Sequence, residues 1–209
     1  MKYFNELPFI VNTDKNGNYY PLRNILIRTK LIPELAKNPL LFYEYDIQES
    51  DTPESIAYKY YGDQYRYWIV LMANEMMDPQ WQWPLTSQQF QKYLFDKYSV
   101  VAGGDSQVMS YLTATVHHYE KVTTTYDSDS QITAIKTVEV DGATYAAIQP
   151  YTATTTFPDG SKGTYSITGN AISIYDYENQ LNESKRRIKI INSKYVSQME
   201  SIYSQLVKV

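Results

Sequence analysis

The period of apolar positions changes several times along this 209-residue chain, and each change marks an expected element. Leu41 to Ile47 is a short run holding Phe42, Tyr43 and Tyr45, the aromatic composition of a strand. Asp51 or Thr52 then caps a helix. Pro53 has no N–H to leave unpaired, Glu54 sets negative charge at the positive helix end, and Ile56, Ala57 and Tyr60 recur on one face. Gly62 suits the left-handed conformation that ends a helix. Asp63 opens a second helix over Gln64–Asn74, in which Tyr65, Tyr67, Trp68, Ile69, Val70, Leu71, Met72 and Ala73 point in every direction. A helix apolar all round is buried on more than one side, so another segment or another chain is expected to cover it. Asp78-Pro79 and Trp83-Pro84 stop that helix and fix an irregular connection carrying Trp81 and Trp83. Ser87 to Tyr98 is helical again, with Phe90, Tyr93, Leu94 and Tyr98 on one side.

Residues 1–41 read as an extended arm leading into a short helix. Asn16-Gly17 marks a turn, and Leu22 to Ile32 holds too many apolar groups for a free segment, so the arm packs on its own domain or on a neighbour. Gly103-Gly104-Asp105 is a hinge. Beyond it, Val108–Tyr119, Val122–Tyr126 and Ile132–Val140 are β-rich, with turns at Tyr126–Ser130, Asp141-Gly142 (a hairpin) and Phe157–Gly160. Residues 105–174 therefore predict a small antiparallel β region, although the runs Thr123–Thr125 and Thr154–Thr156 also suit an exposed loop. In the last segment Tyr177, Leu181, Ile188, Ile191, Tyr195, Met199, Ile202 and Leu206 advance mostly by three, four or seven. That spacing predicts one helix of roughly 30 residues, about 45 Å long, reaching away as an arm or coiled-coil partner. Deleting residues 180–209 is then expected to leave a foldable core. The division is 1–41 (arm and short helix), 42–98 (strand–helix–helix core and following helix), 99–174 (β-rich insertion) and 175–209 (long helix), an α+β protein.

Composition adds an interface theme. The chain holds 22 Tyr against 6 Phe; a large apolar ring with a hydroxyl suits surfaces wet before assembly and buried afterwards, and equally suits Tyr-rich strands. The absence of cysteine excludes disulfides, thiolate nucleophiles and zinc–thiolate sites. No apolar run is long enough for a signal peptide or membrane span, so no membrane partner is expected. The net charge of −4 hides an asymmetry: residues 99–183 carry 10 acidic and 3 basic side chains, residues 184–209 carry 1 and 6. A basic end on an acidic body suits docking on an acidic protein surface or a solvated helix face. Lys185, Arg186, Arg187 and Lys189 make too short a cluster for a phosphate-backbone footprint, and no nucleic acid is expected.

Reactive groups are sparse. His117 and His118 are neighbours in a strand-like run, where successive side chains point to opposite faces, so no metal site is expected. Glu49 with Asp51, and Asp176 with Glu178, sit beside a helix cap and at a helix start rather than across a sugar cleft. There is no nucleophile elbow, phosphate-cradling loop or His-Glu-x-x-His motif. The expectation is no catalytic residue, no cofactor and no enzyme activity: a binding or assembly module.

The block Tyr45-x-Ile47, Asp51-Thr52-Pro53-Glu54-Ser55-Ile56-Ala57, Tyr60-Tyr61-Gly62-Asp63 and Trp68-x-Val70-Leu71-x-x-Asn74 resembles a LysM-type module. With Tyr3-Phe4-Asn5-x-Leu7-Pro8, Asp78-Pro79 to Trp83-Pro84-Leu85, His117-His118-Tyr119-Glu120 and Arg186-Arg187-Ile188-Lys189-Ile190-Ile191, the chain resembles the baseplate wedge proteins of contractile-tailed bacteriophages that carry a LysM-like domain. The resemblance covers residues 1–98 and 175–206; residues 105–174 lie outside it. It implies a structural subunit in the virion tail baseplate, assembled in the host cytoplasm, which joins wedge units to one another and to the central hub in a six-fold assembly. On that reading the protein-interaction residues are Tyr67, Trp68, Leu71, Trp81, Trp83, Arg186, Arg187, Ile188, Ile191, Tyr195, Met199 and Ile202. The alternative is a peptidoglycan-binding LysM module. Against it, the Gly-x-x-Leu type of closing segment is replaced here by Trp81-Gln82-Trp83-Pro84 and a further helix.

Overall fold

The computed structural model describes residues 3–27, 29–30, 38–128 and 131–207. A short helix α1 (Tyr3–Glu6) precedes strands β1 (Phe9–Thr13) and β2 (Tyr19–Arg23). Strand β3 (Phe42–Asp46) leads to α2 (Pro53–Tyr61), α3 (Tyr67–Ala73), the single turn α4 (Pro79–Gln82) and α5 (Ser87–Ala102). Next come α6 (Val108–Ala114), β4 (Val116–Asp127), β5 (Ile132–Val140), α7 (Gly142–Ala147), β6 (Tyr151–Thr156) and β7 (Lys162–Ser173). They are followed by α8 (Ile174–Glu183), β8 (Arg187–Ile191) and α9 (Val196–Leu206). Every described strand pair is antiparallel, as the α+β reading requires. The chain forms two compact units, residues 1–88 with 182–209, and residues 89–181.

The first unit is organised by β3 pairing with β8, from Phe42 opposite Ile191 to Asp46 opposite Arg187. Ile188, Ile190 and Ile191 enter a core with Ile56 and Ala57 of α2, Trp68, Ile69 and Val70 of α3, and Val196, Met199 and Tyr203 of α9. Thr52 caps α2 reciprocally: its Oγ1 accepts the Ser55 N–H (3.1 Å), and Ser55 Oγ accepts the Thr52 N–H (2.9 Å). Gly62, at φ 69°, closes the helix in the left-handed conformation. The Asn74 side chain donates to the Val70 and Lys189 carbonyls (both 2.8 Å) and accepts from the Lys189 N–H (2.7 Å). It thus ends α3 and satisfies the outer edge of β8 in one stroke. Arg66 forks onto Glu200 (2.9 and 3.2 Å), joining the turn before α3 to α9. Tyr3, Trp68 and Tyr203 stack within 4.8–5.7 Å, and Leu7 is fully buried, so the first residues are part of this core.

Several expectations are corrected. The long C-terminal helix is instead three elements, α8, β8 and α9. Arg187-Ile188-Lys189-Ile190 alternates out and in, the period of a strand, and the β-branched isoleucines favour it once β3 offers a ladder. Deleting residues 180–209 therefore removes seven core side chains and β3's partner, and the first unit cannot close without them. The opening residues are not a plain arm but α1 and a β1–β2 hairpin turning at Gly17 (φ 85°). The short helix expected to follow the arm within residues 1–41 falls partly outside the described residues; Leu22 and Arg23 are strand, and Ile25 and Leu26 are turn. Val108–Ala114 is helical, with Val108 and Leu112 buried one turn apart. Asp141-Gly142 is not a hairpin turn. Asp141 accepts the Thr144 N–H (2.7 Å) and caps α7. α5 runs past Tyr98 to Ala102, where Gly103 and Gly104 take positive φ and end it.

In the second unit the sheet order is β5-β4-β7-β6. α7 lays Tyr145 over Tyr119 (centroids 4.4 Å apart) and against Gly169, where an added Cβ would come within 3.0 Å of the ring. α5 and α8 are tied by Glu178, which is buried and accepts from Lys97 Nζ (2.7 Å), Tyr98 OH (2.6 Å) and Tyr93 OH (3.2 Å). Burial pushes the Glu178 carboxyl up, but these donors and the Lys97 charge outweigh it and hold it below the usual carboxylate range. Burial and the bond to Glu178 push the Tyr98 phenol up to about 12.

Two outcomes are expected. Asn74→Asp, which keeps the acceptor but presents an anion to two carbonyls, destabilises the chain by about 1–3 kcal/mol in urea unfolding; an unchanged midpoint would show that the β8 edge does not need this amide. Glu178→Gln costs about 1–3 kcal/mol at pH 7. Because the folded carboxyl titrates below its ordinary value of 4.5, its stabilisation is complete above that pH and is lost as pH falls through the folded value. The gap between native and variant should thus shrink below about pH 4.5; a gap that widens in acid contradicts the assignment.

Candidate functional site

α3 has two working faces. Trp68, Ile69, Val70 and Ala73 are buried in the core, while half-buried Tyr67, Leu71 and Met72 line a groove of about 340 Å³. Tyr3, Phe4, Ile25, Ile27, Thr29, Met76, Met77, Pro79 and an edge of Trp68 line the rest of it. The helix that is apolar all round is thus covered on one side by the core and partly on the other by the chain's own first residues. Met76 and Met77 are not singled out by the sequence reading, although a Met-Met pair following an all-apolar helix is a signal, since Met adapts to irregular apolar surfaces.

Beside the groove, the aromatic connection is rigid. Gln82 Oε1 accepts the N–H groups of Met77 (2.7 Å) and Asp78 (2.9 Å), and Asp78 caps the single turn of α4 through the Gln80 N–H. Trp83 is half-buried and donates to the Asp51 carbonyl (3.2 Å). Trp81 stands out at 66% exposure on this fixed turn, its own carbonyl held by Lys185 Nζ (2.9 Å).

The C-terminal candidates divide by burial. Ile188, Ile191 and Met199 are buried in the core, and Trp68 is buried there too while its edge lines the groove. Tyr195 is exposed and Ile202 half-buried. Arg186 bonds Glu183 (2.8 Å), the Ile47 carbonyl (3.3 Å) and Glu49 (3.4 Å), and Arg187 pairs with Glu44. The Arg187 guanidinium holds the Glu44 carboxyl below its usual range. The basic cluster is therefore largely spent on neighbours in its own unit.

The histidine pair departs from the strand rule. The β4–β7 register shifts between Val116 and His118, so His117 is an extra residue in a bulge and its ring swings toward His118. Their Nδ1 atoms lie 2.9 Å apart, His117 stacks on Tyr177 at 3.8 Å, and His118 Nε2 faces Glu120 (3.3 Å). With Nε2–H of His118 donating to the carboxylate, its Nδ1 is placed to accept from Nδ1–H of His117. No cluster of three or more metal-ligating side chains occurs among the described residues.

The profile of base plate wedge protein 53 matches residues 2–209. The chain belongs to the base plate wedge protein 53 family. Baseplate wedge protein gp53 of Enterobacteria phage T4 is 30% identical over 110 residues, which is 51% of this chain and 54% of that relative. The chain thus spans about half the length of the curated relative that it matches. Membership of this family gives the chain a structural role in a phage tail baseplate.

Trp68 separates core from surface in a measurable way. Its indole N–H is enclosed with no acceptor among the described residues, so burying that group costs desolvation and returns no bond. Trp68→Phe is expected to cost less than about 1.5 kcal/mol, and Trp68→Ala about 3–5 kcal/mol, by thermal unfolding. Equal losses for the two variants would mean that the N–H has a partner.

Proposed function

We propose that this base plate wedge 53 protein joins wedge units to each other and to the central hub of a contractile tail, its β3–α2–α3–β8 unit acting as a LysM-like structural clamp that does not bind glycan. The observation that carries this reading is the exposed Trp81, on a hydrogen-bonded turn whose Pro79 lines the same groove as the half-buried Tyr67 and Leu71. Large aromatics held in place and left open to solvent are the side chains that dominate protein interfaces when a partner desolvates them. Tyr67, Leu71, Trp81, Trp83, Tyr195 and Ile202 are the residues proposed to meet neighbouring chains. Arg186 and Arg187 support β3–β8 and the turn after α8 rather than a partner. No helix among the described residues is long and apolar enough to cross a membrane.

The test uses a phage lacking its own copy of the protein. Supplied in trans, Trp81→Ala is expected to fold, with its melting temperature within a few degrees of native, yet to enter tails at least about tenfold less well. Infectious tails carrying the variant at native copy number would refute the role given to this surface.

A further inference from the structure

The bulge at His117 sets two ring nitrogens on one line. The Nδ1 atoms of His117 and His118 lie 2.9 Å apart while their ring centroids lie 5.2 Å apart. That centroid spacing is close to the largest that this N···N distance permits, so each Nδ1 points straight at the other. An imidazole nitrogen carries either a hydrogen or a lone pair in the ring plane. Two lone pairs on that line repel, two hydrogens do not fit, and one hydrogen makes a bond of ordinary length. The same head-on aim argues against a shared metal ion, whose ligands converge on a point beside such a line.

The closed pair therefore has three places for ring hydrogens, against four in two separate imidazolium rings. One is the shared line. Another is Nε2 of His118, which faces Glu120 Oε1 (3.3 Å). The last is Nε2 of His117, on an exposed ring that stacks over Tyr177 of α8 with centroids 3.8 Å apart. The neutral pair fills the first two. One added proton goes to the last, leaves the contact intact and gives it a charged donor. The next proton has to enter the shared line, and the rings must part.

The groups around the pair come from three further elements. On β4 itself Glu120 shares a face with His118, while Lys121 points to the other face. Glu139 of β5 stands opposite Glu120. β7 sets the uncharged Ile172 and Asn170 opposite His118 and Glu120. α8 brings Tyr177 between Asp176, whose carboxylate accepts from Ser173 Oγ (2.7 Å), and Glu178, which is bound to Lys97 (2.7 Å).

We propose that His117 and His118 form a proton-operated latch between the β4 bulge and α8, which stays closed with one added proton and opens with a second. Opening takes the His117 ring off Tyr177. The open pair binds one proton more than the closed pair, so falling pH favours opening and rising pH restores the contact. Imidazole is the side chain that changes charge across this part of the pH scale. All three residues lie within the second unit, so the latch does not depend on the assembly reading above.

Nuclear magnetic resonance of the full chain, isotope-labelled at His, Tyr and Leu, tests this from about pH 8 to about pH 5. The ring nitrogens of the pair are expected to titrate in two separate steps. The Tyr177 ring protons are expected to move downfield mainly in the second, as the stacked imidazole leaves. Leu112, buried in the same unit, is expected to keep its methyl signals throughout. His117→Phe keeps an aromatic ring against Tyr177 but takes no proton, so its Tyr177 signals are expected to stay fixed. A single shared step, or Tyr177 signals of the native chain unmoved across the range, overturns the proposal. So does a Tyr177 response that persists in His117→Phe, since its source then lies elsewhere. Leu112 signals lost in the second step would mean unfolding rather than a latch, and overturn it too. If His117→Phe does not fold, the native titration decides alone.

Discussion

The pairing of β3 with β8 is the constraint on which the rest of the first unit depends. It joins residues 143 positions apart, as between Glu44 and Arg187, and brings Ile188, Ile190 and Ile191 under α2 and α3. Without it Asn74 has no strand edge to satisfy, Arg187 has no Glu44, and α9 has no floor. The chain between the two strands leaves and re-enters the unit at one place. There the Leu85 N–H donates to Asn182 Oδ1 (2.7 Å) and Asn182 Nδ2 returns a bond to the Leu85 carbonyl (3.1 Å). Asn182 is buried, so these bonds are shielded from water and costly to leave unmade. Since each doubling of a flexible loop adds only about 0.6 kcal/mol to closure, a large insertion at this joint is tolerable once both ends are pinned.

That long-range pairing also explains what could and could not be read from the sequence. The start of α2, its Gly62 stop, the second helix and the Trp-Pro connection were legible because their determinants lie within a few residues of one another. The C-terminal segment was misread because Ile188, Ile191, Tyr195 and Met199 fall at helical spacing, while Ile188 and Ile190 fall at strand spacing. Five residues cannot arbitrate between the two periods, and the deciding partner lies at Phe42–Asp46. Asp141-Gly142 was ambiguous for a different reason, since Asp favours turns and helix caps through the same side-chain acceptor. The histidine pair obeyed the strand rule until a one-residue bulge, which no local pattern announced, turned both rings toward each other. At the candidate surface, Leu71 was legible as part of a helix with more apolar surface than one side can bury, and Trp81 as an aromatic carried on an irregular connection. Which residues of α3 face the core and which the groove depended on where α9 and the first residues pack.

The fold also changes what the basic end of the chain means. Six cations in residues 184–209 against one acid suggested an external electrostatic handle, yet formal charge along a segment is not a field around the protein. Arg186 and Arg187 meet Glu183, Glu49 and Glu44 within hydrogen-bond range, and at such distances each pair is close to a dipole whose field falls off within a Debye length of about 8 Å. Lys185 is directed to the Trp81 carbonyl, where it steadies the turn that presents the indole. The charge asymmetry is therefore converted into rigidity. Fixing the backbone at Trp81 leaves only the freedom of the indole itself to be lost on burial, so these cations act through the geometry they hold rather than through attraction at a distance.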